Sequence, residues 1–103
     1  MKILLTGANG FVGQAIAQKI SKIKNIDLSI AVRNVSANFI PHAKAHDIKT
    51  LDSNTNWEDA LFKINIVIHT AARVHIMNET SNNSLAEFRK INVEGTLNLA
   101  RQA

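Results

Sequence analysis

At 103 residues, with 46% apolar and a net charge of +4, the chain has enough hydrophobic material for one folded domain and too much for a disordered one. Its twelve Lys and Arg are spread along the whole length, and only 5% of residues are aromatic, none of them Tyr. Nucleic-acid binders cluster their cations and interleave stacking rings, so that class is set aside. There is no Cys, hence no disulfide framework and no thiolate metal site. The opening apolar run breaks at Thr6 and Gly7, short of the roughly 7–15 apolar residues of a signal segment. No stretch approaches the ~20 apolar residues of a membrane helix. A soluble, cytoplasmic chain with no membrane partner is expected, and the sequons at Asn34, Asn78 and Asn82 have no secretory context.

Lys2 to Thr6 is a short run, Ile3-Leu4-Leu5, ending in a glycine turn, the pattern of a parallel strand buried on both faces. Beyond the turn Phe11, Val12, Ile16, Ile20 and Ile23 recur at helical spacing, with Gln14, Gln18, Lys19 and Lys22 on the other face. Lys22 and Lys24 suit the negative end of that helix, and Asn25 is its stop. Leu28 to Val32 reads as a second strand. Residues 34–46, with Pro41, read as a loop, and a third strand is expected near Asp47 to Leu51. Thr55 and Glu58 have capping-box spacing, so a short helix carrying Trp57, Ala60, Leu61 and Ile64 is expected to begin there. Ile66-Val67-Ile68 is a β-branched strand. Ser84 and Glu87 form a second capping box. Behind it Leu85, Phe88, Ile91, Asn92, Gly95, Thr96 and Leu99 make a helical stripe that runs to the last residue with no stop signal, as at a truncation. Strands alternating with helices imply parallel pairing and right-handed crossovers. The expected fold is α/β, a partial Rossmann-type doubly wound parallel sheet with strand order 3-2-1-4 and flanking helices.

Gly7, Gly10 and Gly13 stand at G-x-x-G-x-x-G spacing, three of the chain's four glycines, between a strand and a helix. The first permits the tight turn, the second lets a phosphate approach bare backbone, and the third lets the helix sit close to the sheet. The helix then offers free N–H groups and a partial positive charge to a pyrophosphate. A nucleotide cofactor is the expected ligand, with Gly7, Asn9, Gly10, Phe11, Val12 and Gly13 around it. An ordinary glycine-rich turn is the plainer alternative. A P-loop is excluded, since no Gly-Lys-Ser/Thr follows. Counting about 20 residues on from Gly13, where NAD-binding domains carry an acid for the ribose 2′-OH, reaches Arg33 and Asn34. An Arg there pairs with a 2′-phosphate and stacks on adenine, so NADP is favoured and NAD remains possible; a solvated loop cation is the bland reading.

With Thr6 ahead of the glycines, the motif resembles the extended short-chain dehydrogenase/reductase superfamily and its NAD-dependent epimerase/dehydratase members. Two further stretches match. His69-Thr70-Ala71-Ala72 resembles the H-x-A-A strand end, whose backbone the resemblance places beside the cofactor. Asn92-Val93-Glu94-Gly95-Thr96 resembles the N-V-x-G-T segment, whose Asn supports the active-site geometry and cofactor pocket. The stretch from Ala71 to Glu79 is similar to a bacterial, UDP-glucose 4-epimerase-like branch acting on UDP-sugars in surface-polysaccharide synthesis. The resemblance implies the N-terminal part of an NAD(P)-binding domain over 1–103, with the rest of that domain and the substrate lobe absent. It implies a parent enzyme that epimerises, dehydrates or reduces a nucleotide sugar through hydride transfer at sugar C4. The family's catalytic Ser/Thr and Tyr-x-x-x-Lys fall after residue 103, so the chain carries no catalytic residue beyond a supporting Asn92 and is expected to be inactive alone.

Plainer readings stand beside these. His69 is either a polar cap on a buried strand or a cofactor neighbour; Ala71 and Ala72 are small either for packing or for a ligand at the carboxyl end of a parallel strand. Arg73 and His75 face either substrate or water. Asn92 on an apolar stripe is more telling, because a buried amide without partners costs ~1–3 kcal/mol. The family's acid-plus-apolar pair that meets adenine corresponds either to Asp47-Ile48 or, counting back from Trp57, to Thr50-Leu51, which lacks the acid. His42 and His46 are four apart, but Pro41 and the lack of a third ligand argue against a metal. A non-catalytic NAD(P)-sensing module is the alternative function. A homodimer or self-association is expected, with an open strand edge at Ile66 to Thr70 and with Phe88 and Leu99 under-covered.

Overall fold

The computed structural model describes residues 1–33, 43–71 and 84–103. The loop reading of 34–42 and the side chains of Ser84 and Glu87 lie outside the described residues. Strand β1 (Lys2–Thr6) buries every residue after Lys2, because both of its faces are covered. β2 (Asp27–Val32) and β4 (Ile66–His69) flank it in parallel, and β3 (Lys44–Asp47) lies outside β2, giving the order β3-β2-β1-β4. Thr6 is thereby opposite Ala31 on one side and His69 on the other.

Side chains alternate between two hydrophobic layers. Helix α1 (Phe11–Ser21) lays Gly13, Ala17 and Ile20 on one face, against Ile3, Leu5, Leu28, Ile30 and Val32. It stops before Asn25, whose φ of 71° turns the chain back, a left-handed position that Asn tolerates. The other face holds Leu4, Ala31, Leu51, Trp57, Ala60 and Leu99. Short helix α2 (Glu58–Leu61) and a terminal helix cover it; the latter runs as α3 (Ser84–Phe88), a π-helical segment (Arg89–Gly95) and α4 (Thr96–Gln102).

Three local expectations are corrected. β3 ends at Asp47, where it was expected to begin. Its partner β2 runs out at Val32, opposite Asp47. Ile48 N still donates to Val32 O at 2.9 Å, but the Asp47 carboxylate then accepts Lys49 N at 2.8 Å and the chain turns away at φ 62°. The Thr55–Glu58 capping box does not form. Thr55 Oγ1 instead accepts Asp52 N at 2.9 Å and donates to Thr50 O at 2.7 Å, while Glu58 N donates to Asn56 Oδ1 at 2.9 Å. The terminal helix keeps its stripe from Phe88 to Leu99, with Phe88, Ile91, Asn92 and Thr96 half-buried and Gly95 and Leu99 buried, although its winding is i→i+5 between Arg89 and Gly95. Leu85, at the start of the stripe, is 61% exposed, and Leu99, expected to be under-covered, is instead 3% exposed against Trp57 and Leu51.

Side-chain amides lock this second layer. Asn98 Nδ2 donates to Asp52 O at 3.1 Å and Thr55 O at 2.9 Å; Gln102 Nε2 donates to Thr55 O at 2.8 Å, and its Oε1 accepts Trp57 N at 2.9 Å. The 52–57 loop is thus tied to α4, which keeps Leu99 against Trp57. Leu99→Ala is expected to cost about 2–5 kcal/mol, the range for a buried leucine that leaves a cavity. Urea unfolding followed by emission of Trp57, the single tryptophan, measures it. A loss under about 0.5 kcal/mol, the level of an exposed substitution, contradicts this packing.

Candidate functional site

The chemistry-bearing residues gather at the carboxyl end of the parallel sheet, the end where such sheets bind ligands. Gly7 leaves β1 at φ 72°, a conformation that L side chains avoid. A Cβ there would lie 2.5 Å from Thr70 Oγ1 and 2.7 Å from Ala71 N, so the end of β4 packs directly on the turn. At Gly13 a Cβ would overlap the Gly7 carbonyl oxygen, so only glycine lets α1 return this close.

Gly10 differs from both. Its φ of −82° and ψ of 172° suit any residue, and an added Cβ would meet only Gly7 O at 3.4 Å, an ordinary contact. Nothing among the described residues requires a glycine there. Gly10 N donates to Gly7 O at 3.0 Å, and the α1 ladder begins with Gln14 N to Gly10 O at 2.9 Å. The amides of Phe11, Val12 and Gly13 precede that ladder. No side chain caps α1 and no acid stands in its first turn, so the positive end of its dipole is unopposed. Phe11 is 94% exposed and Val12 58%, beside exposed Asn9 and Gly10. Ala8, by contrast, is buried in the α1 layer, and Gln14 Nε2 closes the loop on Asn9 O at 3.2 Å.

Across the sheet end, Arg33 follows Val32 and is exposed. Leu51 is buried with Trp57 and Leu99 in the cluster that Ala71 and Ile91 border. Asp47 is exposed, with its carboxylate occupied by Lys49 N. The layer that Ala71 borders thus takes in Leu51 and, at its margin, Ile48, the apolar members of both candidate pairs. Asn92 is half-buried within the π segment. Asn34, Ala72, Arg73, His75 and His42 lie outside the described residues. His46 stands on β3, where burial and then the Lys44 ammonium push its pKa down, with Asp59 opposing.

Sequence reasoning missed a hub formed by three hydroxyls and one imidazole. Thr6, fully buried, accepts Thr70 N and Ala71 N on its Oγ1, each at 3.1 Å. The same oxygen lies 2.7 Å from His69 Nδ1, and His69 Nε2 lies 3.0 Å from Thr96 Oγ1. Thr70 Oγ1 donates back to Thr6 O at 2.6 Å. Burial pushes the half-buried His69 below its ordinary pKa. The only signal in the sequence was a polar residue at the end of each of two apolar strands and a Thr within the helical stripe.

The geometry has relatives. A UDP-glucose 4-epimerase of Vibrio cholerae is 32% identical over 101 residues, 98% of this chain and 30% of that protein. Among solved structures, UDP-glucuronic acid 4-epimerase of Bacillus cereus, in complex with UDP-glucuronic acid and NAD, superposes with a TM-score of 0.75 at 22% identity, over 98% of this chain and 35% of the other. Gre2 of Candida albicans, in complex with NADPH, superposes at 0.69 and 19% identity over 98% of this chain and 32% of its own. The chain thus spans about a third of the length of these relatives. The model of the NAD dependent epimerase/dehydratase family matches residues 3–103, and with the glycine turn between β1 and α1 in place the chain belongs to that family.

Proposed function

We propose that this chain is the NAD(P)-binding part of a nucleotide-sugar epimerase, dehydratase or reductase, with a UDP-sugar as the substrate of the whole protein. Gly10 carries the reading. It lacks a side chain at an exposed place where neither its backbone angles nor any described neighbour demands glycine, and the space it leaves suits a ligand. The unopposed amide end of α1 points to an anion, and a pyrophosphate fits both features. Gly7, Asn9, Gly10, Phe11, Val12 and Gly13 would cradle it, Arg33 and Asn34 would lie at the adenosine ribose, Leu51 at adenine, and Ala71, Ala72 and Asn92 towards the nicotinamide. When bound, the dinucleotide supplies hydride exchange at the sugar C4 carbon. Nothing in residues 1–103 supplies a Tyr for proton transfer, so the catalytic acid/base and the substrate lobe are assigned to chain beyond this domain, and residues 1–103 alone are read as inactive. Work on a UDP-sugar suits a cytoplasmic protein of polysaccharide synthesis. The 103 residues contain no helix, among those described, long and apolar enough to cross a membrane.

Gly10→Ala tests the reading directly. In the intact protein it should leave the unfolding midpoint unchanged and weaken dinucleotide binding by the cost of one overpacked methyl, about 1–3 kcal/mol, or roughly 5- to 150-fold. Gly13→Ala should unfold or loosen α1 as well. Undiminished affinity in a well-folded Gly10→Ala variant would remove the pyrophosphate from this turn.

The choice of dinucleotide is assigned to Arg33. Pairing with a 2′-phosphate is a charge-assisted contact of ~1.5–3 kcal/mol, so NADP is expected to bind more tightly than NAD. Arg33→Asp should cut NADP affinity about 10- to 150-fold and spare NAD. Calorimetry with both dinucleotides reads this; a wild-type preference for NAD that the substitution leaves alone excludes Arg33 as selector.

Self-association is proposed from the terminal helix, where Leu85, Val93 and Leu97 are 61%, 52% and 47% exposed, and from β4, which pairs among the described strands only with β1. Light scattering on the 103-residue chain should show mass rising with concentration, and a constant monomer mass would contradict it.

A further inference from the structure

The hub at the top of the sheet contains one side chain whose protonation state is dictated by its neighbours. A threonine hydroxyl offers one donor and two acceptor positions. Both acceptor positions of Thr6 Oγ1 are taken by the amides of Thr70 and Ala71. Its proton is therefore left for His69 Nδ1, 2.7 Å away. That nitrogen must be the bare one, so Nε2 carries the hydrogen and donates to Thr96 Oγ1 at 3.0 Å. Each partner sits on a different element. Thr6 ends β1 and precedes the positive-φ Gly7; His69 ends β4; Thr96 opens α4, directly after the π segment that carries Asn92.

We propose that His69 is a positioning residue, its neutral Nε2–H imidazole clamped between Thr6 and Thr96 so that the glycine turn and the terminal helix keep one spacing for a bound dinucleotide. This deepens the dinucleotide-cradle reading and rests on it. The imidazole lies where it can transmit strain in both directions. The Gly7 turn already packs on Thr70 and Ala71 without room for one carbon, so a shift of Thr6 or Ala71 moves the turn. A second proton on the ring faces Nδ1–H against the Thr6 hydroxyl, whose lone pairs are both used; one amide bond must then break.

Among the described residues no charge offsets that conflict. Thr6 and Thr96 do not titrate, Glu94 and Arg101 on the terminal helix are exposed, and burial alone accounts for the lowered proton affinity of His69 among the described residues. The sign follows. Above the ordinary value of 6.5 both folded and unfolded forms are neutral here and the clamp contributes fully. As pH falls below 6.5 the unfolded chain takes up a proton that the folded one resists, and stability declines until the depressed folded value is passed.

The test uses the intact protein with 15N-labelled histidine, the His69 signals being assigned by their loss in His69→Gln. Long-range 1H–15N spectra should show His69 as the Nε2–H tautomer, neutral below pH 6.5. Thr96→Val should raise the dinucleotide Kd by about fivefold, one neutral hydrogen bond, and Thr96→Ser should restore it. The wild-type Kd should steepen at acidic pH, and His69→Gln should flatten that profile. An Nδ1–H tautomer, or a Kd and pH profile untouched by both His69→Gln and Thr96→Val, overturns the proposal. If wild-type protein binds no dinucleotide, the cradle reading itself fails. Exchange of the Ala71 amide in unliganded protein then judges the clamp: it quickens in Thr96→Val if the imidazole holds the turn, and an unchanged rate refutes it.

Discussion

The return of α1 against the turn from which it grows governs the upper end of this molecule. Residue 13 has no Cβ because the Gly7 carbonyl oxygen fills that space, and residue 7 has none because Thr70 and Ala71 do. Together these approaches stack three layers of backbone: α1, the turn, and the end of β4. A bulkier residue at either point levers α1 away from Ile3 and Leu5, where Ala17 and Ile20 are buried. Core packing and site geometry are therefore one constraint. The exposure of Asn9 through Val12 is its consequence, since a helix held this low presents its first amides above the sheet.

Legibility in the sequence followed the range of the forces involved. β1, α1, β2 and β4 were readable because burial on both faces demands unbroken apolar runs and burial on one face demands helical period. β3 was misplaced because Lys44-Ala45-His46-Asp47 is an edge strand whose end is set by where β2 ends, Asp47 lying opposite Val32, 15 residues earlier. Thr55 was misread because its hydroxyl had two closer offers in its own loop than the start of a helix. The π segment leaves no mark in a 3.6-residue pattern, because Ile91, Asn92 and Gly95 stay covered through it. At the site, Gly7 and Gly13 were identifiable by spacing. The Thr6–His69–Thr96 hub was not, because its members lie 63 and 27 residues apart and meet only once β4 pairs with β1.

The second layer depends on neutral amides in the same way. Asn98 and Gln102 satisfy the carbonyls of Asp52 and Thr55, and in doing so keep Leu51 and Trp57 on the sheet. Buried carbonyls left unpaired cost about as much as a lost hydrogen bond. A helix carrying two carboxamides on one face thus anchors a loop that hydrophobic contact alone would leave adjustable. Leu51 gains its place beside the Ala71 border from this tie, and the flank of the site inherits the rigidity of α4.

Charge is distributed with the same economy. From Gly7 to Gly13 there is no Lys or Arg, so what this turn itself would offer an anion is backbone dipoles, which are fixed in place by the fold and identical for any phosphate ester. The nearest cation along the adjacent strand is Arg33, beyond Val32 at the edge of the described residues. On the proposed reading, recognition of a pyrophosphate and discrimination at a ribose would be separated in space. The first would fall to a glycine turn with no room for a side chain at 7 or 13. The second would fall to one exposed side chain, Arg33, that lies outside both hydrophobic layers. A fold partitioned this way could alter its choice of dinucleotide by one substitution while leaving its sheet, its turn and the Thr6–His69–Thr96 hub intact.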